Sequence, residues 1–414
     1  MKPQNMNRRK FLKTMAAATA GVVLAKQARP VFAALPKVKI TKVSIYDAPN
    51  PNRLFNQSNM VVLITTDNGI IGVGEGGSKD TLEQCAGRLI GRNPFDIEAA
   101  WQDMYRSFFY PPGREKIHAL GALDMALWDI KAKALDVPVY ELLGGMNRKH
   151  VECYQTGGGG GGTVKDQAAR AIQAGYRAYR MDAASLGRGN TVYESHERVR
   201  QVIADCKAAR EGVGKDGDWL IDLHQRFDFI DAVHACKGME EYEPYLAEDP
   251  VRTEAFLEDI PKLRLQTSVP IAAGEEWGQR WDFNKLVENH DLDYIRTTLP
   301  NVGGISEMHK IAAMCETHFV GIVPHFTGPI SSAALIHVLG PFAGPCMMEY
   351  NFGAGKYEYL PELLDFKEGK LWPNQRPGLG VKVDPTKCKL LLEVTEFVGG
   401  RTLYFRPDGS MTNW

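Results

Sequence analysis

The sequence predicts an α/β chain, a modified (β/α)8 barrel of the TIM type behind a smaller N-terminal α+β domain, and three observations carry that prediction. First, Asp222, Glu248 and Glu275 follow one another at intervals of about 26 residues, the length of one strand, one helix and two loops. Each ends a short apolar run: Trp219-Leu-Ile-Asp222, Tyr245-Leu-Ala-Glu248 and Val269-Pro-Ile-Ala-Ala-Gly274-Glu275. Such runs mark the carboxyl ends of buried parallel strands. Second, strand and helix patterns alternate from residue 151 onward, giving eight strands in about 200 residues, as a barrel requires. Third, residues 37–150 read as a separate compact unit of hairpin and helices.

Composition bounds the rest. A chain of 414 residues can bury two sizeable cores. Lys+Arg number 49 against 50 Asp+Glu, a formal net charge of -1, which gives no support for a nucleic-acid partner. The seven cysteines are scattered and contain no C-x-x-C, which argues against a disulfide framework or a zinc site and leaves them as buried small hydrophobes.

The first residues read as a leader. Asn7-Arg8-Arg9-Lys10-Phe11-Leu12-Lys13 precedes an apolar stretch at 14–25, and small residues follow at Val31-Phe32-Ala33-Ala34. A basic segment, a short apolar segment and a small-residue end predict a signal peptide over 1–33. The paired arginines resemble a twin-arginine signal, which carries folded proteins across the membrane, so the expected location is periplasmic or otherwise exported. The apolar stretch is too short to span a bilayer, and no lasting membrane anchor is expected.

In the first domain, 37–46 and 60–66 read as strands, with Thr66-Asp-Asn-Gly69 turning into 70–74. Helical patterns follow at 80–90, 96–106 and 117–134. In the last of these Ala119, Ala122, Leu123, Ala126, Leu127 and Ile130 recur at helical spacing. The barrel is expected over 151–365, with strands at 151–156, 176–182, the three acid-ended runs, 292–299, 319–325 and 346–351. The remaining segment, 366–414, is expected to pack back on the first domain. Six glycines at 157–162 read as a flexible loop at the barrel mouth. A cradle for an anion is the alternative, but the Lys-Ser/Thr ending of a phosphate loop is missing.

Acids at strand ends of a barrel face its catalytic side. Three in register suit a hard cation that leaves positions for substrate, Mg²⁺ or Mn²⁺. His224 lies two residues past Asp222, which strand alternation places on the same face. His325 ends another strand. Histidines from strands three and seven would approach a metal from opposite sides, the arrangement for a base and an acid working on one carbon skeleton. Glu349, closing Cys346-Met-Met-Glu349, is a candidate hydrogen-bonding group for a developing enolate oxygen.

At this point the residues resemble the enolase superfamily and its mandelate racemase-like branch. Gly121-Ala-Leu-Asp-Met-Ala-Leu-Trp-Asp129-Ile-Lys-Ala-Lys133 and Pro138-Val-Tyr-Glu-Leu-Leu-Gly-Gly145 are similar to that family's capping-domain signature. Glu248-Asp-Pro, Gly274-Glu275, Gly303-Gly304 and Pro324-His325 match its barrel. The resemblance implies a cap over a modified barrel, Mg²⁺ on Asp222, Glu248 and Glu275, and removal of a proton next to a carboxylate. It also implies a homo-oligomer.

Departures from the family pattern narrow the reaction. Where racemases carry Lys-x-Lys this chain has Arg180-Met-Asp182, and an arginine is a poor base. Arg180 is instead expected to bind a substrate carboxylate or hydroxyl. Asp222-Leu-His224 resembles the Asp-x-His of the galactonate and mannonate dehydratase groups, and Tyr294-Ile-Arg-Thr-Thr298 resembles the mannonate type. Thr298 stands where many relatives place the aspartate partner of the strand-seven histidine. In the mannonate group a tyrosine works with the strand-two arginine as base, which makes Tyr193, in a loop with Arg188, a candidate. Substrate choice is expected from loops at 50–59 and 110–113. The chain is therefore expected to dehydrate a small sugar acid to a 2-keto-3-deoxy acid. A cycloisomerase or epimerase using the same enolate is the alternative, and an inert acid-sugar-binding protein is a third possibility.

Overall fold

The computed structural model describes residues 35–49, 60–108, 110, 112–157, 161–182, 193–252, 257–350, 357–399 and 403–412. The leader expected at 1–33, the loop 50–59, Arg188 and the centre of the glycine run at 158–160 lie outside the described residues. Among the described residues no helix is long and apolar enough to cross a membrane. All seven cysteines are free, five of them buried.

The cap is built on an antiparallel sheet of β1 (Ile40–Asp47), β2 (Val61–Thr66) and β3 (Ile71–Glu75). Gly69 takes a φ of 86° in the turn between β2 and β3, a conformation open to glycine at little cost. Against β3 packs the helix Arg114–Ala134, buried on nearly every face. The approach is close because β3 carries glycines. A Cβ on Gly72 would stand 2.1 Å from the Ala126 carbonyl oxygen, and one on Gly74 would stand 1.9 Å from that of Ala122. Helices Lys79–Ala86 and Ile97–Arg106 complete the cap.

The barrel strands are β4 (Val151–Thr156), β5 (Ala178–Asp182), β6 (Asp218–Asp222), β7 (Leu246–Glu248), β8 (Ile271–Ala273), β9 (Tyr294–Ile295), β10 (Gly321–Ile322) and β11 (Met348–Glu349). Each pairs in parallel with the next from β4 to β10. β11 returns to β4, and a bridge from Ile322 to Cys346 joins the last gap, so the ring closes. The later strands are shorter than their apolar runs suggest. Burial, which writes the apolar run, extends beyond the ladder hydrogen bonds that define the strand.

The tail departs from the expectation that all of 366–414 turns back to the cap. Lys370–Trp372 pairs antiparallel with β4 and forms a hairpin with Asp365–Lys367, so this stretch belongs to the barrel. Further on, Lys389–Val394 joins the cap sheet as the antiparallel neighbour of β1. Backbone groups left open at the edges of β4 and β1 explain both attachments.

Buried polar side chains lock cap to barrel. Asp124 accepts from the Ser306 amide at 3.0 Å and the Ser306 hydroxyl at 2.6 Å, at the start of the barrel helix Ile305–Thr317. Gly304 leaves room for it, since a Cβ there would sit 2.4 Å from Asp124 Oδ2. Asp129 accepts from the Val73 amide of β3 at 2.9 Å and the Leu379 amide of the tail at 2.7 Å. Trp101 donates its indole N–H to the Gly303 carbonyl. Glu75, closing β3, accepts from the Ser331 amide at 2.8 Å at the start of helix Pro329–Leu339.

Burial pushes the carboxyl groups of Glu75 and Asp124 each up to about 7, against the pull of their serine donors. Both values exceed the usual carboxylate range of about 4. The folded state therefore holds protons that the unfolded chain releases. That contribution to stability is complete below about pH 4 and is lost as pH rises through about 7. Melting temperatures of Glu75→Gln and Asp124→Asn should accordingly fall less than the parent's between about pH 5 and about pH 8. Parallel curves for parent and variants would contradict this assignment.

Candidate active site

The inner face of the barrel is written in steps of two, the side-chain period of a strand. Tyr154, Ala178, Leu220, Leu246, Ala272, Val323 and Met347 form one buried apolar cluster, with Tyr294 packed against it. This is the floor. Two residues on from these eight come Thr156, Arg180, Asp222, Glu248, Gly274, His325, Glu349 and Arg296, a polar layer on an apolar base. At Gly274 the pattern slips by one. Its φ is 118°, a Cβ there would meet the Phe283 ring at 2.6 Å, and the acid arrives at Glu275 instead.

Asp222 and Glu248 are neighbours in parallel register at the ends of β6 and β7. One carboxylate oxygen from each of Asp222, Glu248 and Glu275 lies within 4.8 Å of the other two. All three residues offer hard oxygen donors, and Glu275 Oε2 is buried without a hydrogen bond among the described residues. Residue type, spacing and this oxygen together fit a small divalent cation. Burial and the neighbouring acids Asp249, Asp222 and Glu248 hold the Glu275 carboxyl well above its usual range, the environment a cation would relieve.

Two arginines thread the same acids. Arg180 Nη1 donates to Asp222 Oδ2 and to both Glu248 oxygens at 3.0 Å, while its Nε donates to Thr156 Oγ1 at 3.1 Å. Its Nη2 pairs with Glu349 Oε1 at 3.2 Å. Arg296, 0% exposed, pairs through Nε with Glu248 and through Nη2 with Glu349 Oε2 at 2.6 Å. Glu248, Arg180, Glu349 and Arg296 thus close a ring of alternating charge. Burial, the largest single influence at both, would raise Asp222 and Glu349, but Arg180 and the smaller influences beside it together outweigh burial at each. His224 assists at Asp222, and Arg296 at Glu349, so both carboxyls lie below the usual range.

This geometry changes what two residues were expected to do. Glu349 accepts from Thr156 Oγ1 at 2.7 Å, from the Phe326 amide at 3.1 Å and from both arginines. An ionised carboxylate has no proton to donate and its lone pairs are committed, so here it anchors the arginines. Arg180, expected to meet substrate, spends its Nη1 on the acids themselves.

His224 reaches the acids by a different route from the one expected. β6 ends at Asp222, and His224 has a φ of 47°, so strand alternation no longer applies. A turn brings it back: the His224 amide donates to Asp222 Oδ1 at 2.8 Å, and its ring Nε2 stands 2.8 Å from Asp222 Oδ2. His325 Nε2 stands 3.6 Å from Glu275 Oε2. Burial, with Arg296 adding to it, lowers the His325 imidazole to about 3. Thr298 turns to Thr327, with the hydroxyls 3.5 Å apart. Tyr193 is not brought to these residues: it is 52% exposed, with the Arg198 guanidinium over its ring. Of the loop expected at 110–113, Pro112 meets the barrel through its carbonyl, which accepts from the Gln279 side-chain amide.

Sequence reasoning passed over Arg296 and Tyr154. The signal for Arg296 was a charge inside the strand run Tyr294-Ile-Arg-Thr-Thr298, two residues after a floor position. Tyr154 gave no signal, being one aromatic in a strand. Its hydroxyl is fully buried under the influence of Arg296, Glu349, Glu248 and Arg180, and lacks a hydrogen-bond partner among the described residues.

Removing one partner from a buried ion pair leaves an uncompensated charge, at a cost of about 3–5 kcal/mol. Arg296→Met should lose that much stability in a denaturant titration. Adding Glu349→Gln to it should recover part of the loss by removing one stranded charge. No recovery in the double variant would show that the ring is not the source of the effect.

Comparison with known proteins agrees with this architecture. Residues 51–144 match the family model for the mandelate racemase / muconate lactonizing enzyme N-terminal domain, and residues 163–387 match that for the enolase C-terminal domain-like family. The D-galactonate dehydratase of Pectobacterium atrosepticum is 33% identical over 397 residues, covering 91% of this chain and 100% of the relative. That of Cronobacter sakazakii is 34% identical over 405 residues with the same coverage. A crystal structure of a member of the enolase superfamily from Salmonella Typhimurium superposes with a TM-score of 0.78 at 27% identity, covering 86% of this chain and 100% of the other. The cap helix that pins the barrel, the three converging acids and these matches along both domains lead to one conclusion: the chain belongs to the enolase superfamily, in its mandelate racemase/muconate lactonizing enzyme branch.

Proposed function

We propose that this enzyme, a hydro-lyase, dehydrates a sugar acid. It removes the proton from the carbon beside the carboxylate and releases the hydroxyl of the next carbon as water, giving a 2-keto-3-deoxy acid. The observation that carries this is the meeting of Asp222, Glu248 and Glu275 at one point, with His224 against the first and His325 against the last. The aligned D-galactonate dehydratases support the same reaction.

Asp222, Glu248 and Glu275 are the residues that would hold Mg²⁺ or Mn²⁺. When bound, the cation offsets the second negative charge that builds on the substrate carboxylate as the α-proton leaves. His224 and His325 divide the proton work: one ring takes the α-proton and the other gives a proton to the departing hydroxyl. Arg180 supplies fixed positive charge beside them. Glu349 and Arg296 keep that arginine and Glu248 oriented from below. The apolar floor excludes water from beneath the polar layer, which strengthens every charge interaction in it.

The test is a panel of aldonic and aldaric acids, D-galactonate among them, incubated with the Mg²⁺-loaded protein. The expected product is lighter than its substrate by one water and carries a 2-keto group. An isomer of unchanged mass would instead identify an epimerase or cycloisomerase, and binding without turnover an inert sugar-acid-binding protein. Glu248→Gln should lower turnover by more than about 100-fold, since even partners of metal ligands cost 10–100-fold. Full metal-dependent turnover in that variant would remove Glu248 from the metal site.

Export is proposed on the strength of Arg8-Arg9 and the apolar stretch behind them. In cells expressing the full chain, the shortened protein should collect outside the cytoplasm, and R8K/R9K should keep it inside. Equal distribution of the two forms would sink the twin-arginine assignment.

A further inference from the structure

The oxygens that a divalent cation would use are already in service. Asp222 Oδ1 accepts from the His224 amide, while Oδ2 meets both His224 Nε2 and Arg180 Nη1. Glu248 Oε1 meets Arg180 and Arg296, and Oε2 meets Arg180 at 3.0 Å. Of the three acids, only Glu275 keeps a buried oxygen with no hydrogen bond among the described residues. A single nitrogen, Arg180 Nη1, therefore engages two of the three acids at once.

Asp222 and Glu248 stand side by side in register, both 0% exposed. Two carboxylates so placed repel strongly in a low-dielectric interior unless a cation lies between them. The guanidinium suits that task because its fork is planar and permanently charged. While Nη1 spans the two acids, Nε and Nη2 are held by Thr156 Oγ1 and Glu349 Oε1. Arg296 is less able to fill this place, since it touches one of the three acids and its Nη1 is directed to the Val323 carbonyl.

We propose that Arg180 is a resident counter-cation that competes with the divalent metal for Asp222 and Glu248. It keeps the acids together in the metal-free protein, and metal binding must displace Nη1 from them. This inference rests on the three acids being a metal site. It makes a prediction opposite in sign to that for a residue that merely orients ligands. Removing an orienting residue weakens metal binding, whereas removing a competitor strengthens it.

The experiment is calorimetric titration of Mn²⁺ into the metal-free full chain, for the parent, Arg180→Met and Arg180→Gln. Glutamine places an amide about where Arg180 Nε donates to Thr156 Oγ1, without the charge, so it carries the test if the methionine variant does not fold. Loss of a unit positive charge in contact with two ligands should tighten Mn²⁺ binding by at least about tenfold. Without metal the variants should melt below the parent, and saturating Mn²⁺ should raise their melting temperatures by more than it raises the parent's. Unchanged or weaker Mn²⁺ binding in the variants, with normal binding by the parent, would overturn the competition and leave the metal site standing. Failure of parent and variants alike to bind Mn²⁺ or Mg²⁺ at millimolar concentration would overturn both.

Discussion

The ring formed by Glu248, Arg180, Glu349 and Arg296 is the constraint on which the site depends. A barrel interior is a poor place for charge, because removing each ion from water costs several kcal/mol. Here Asp222, Glu248, Asp249, Glu275 and Glu349 are gathered around two buried arginines. The ring makes this tolerable by alternating sign, so each of its four members touches two of opposite charge. The ring also reaches the metal-ligand candidates. Glu349 pairs with Arg180 on one side and Arg296 on the other, and Arg296 pairs with Glu248.

The cap contributes to this order from a distance. Asp124 and Asp129 lie one to two turns apart on one buried helix, yet they reach different parts of the molecule. Asp124 satisfies the Ser306 amide in the first turn of a barrel helix, and Asp129 ties a cap strand to the tail. Trp101 reaches the same Gly303-Gly304 corner from a second helix. Asp124 and Asp129, within the stretch that makes the cap recognisable in sequence, are thus residues whose polar atoms would otherwise be buried without partners.

Much of the fold and part of the site are legible in the sequence. The alternation of strand and helix follows from burial on both faces of a parallel sheet, and β4 has the bounds the sequence suggests. The three acids stand out because a carboxylate closing an apolar strand is costly to bury unless a cation or a donor meets it. Other features are hidden by conformations that leave little mark in sequence. His224 and Gln225 both take positive φ, so the step from Asp222 to His224 is a turn where strand logic assumes continuity. Tyr193 is eligible by loop position, but it is exposed, with Arg198 over its ring and Asp231, Asp228 and Arg252 near its hydroxyl. Arg296 is in plain view in the sequence, yet it has no meaning until Glu248 and Glu349 are seen on either side of it.

What the sequence determined by itself were the quantities that depend on local order: the alternation of strand and helix, the beat of acids at the strand ends and the turn at Gly69 between two cap strands. These follow from backbone geometry and hydrophobic burial, which act over a few residues at a time. Only the tertiary structure decided which charges face each other. Ion pairing joins Arg180 to Asp222, Glu248 and Glu349, residues 42 to 169 positions away in the chain. Such pairing depends on distances of a few ångströms across a closed barrel, which spacing along a strand does not encode.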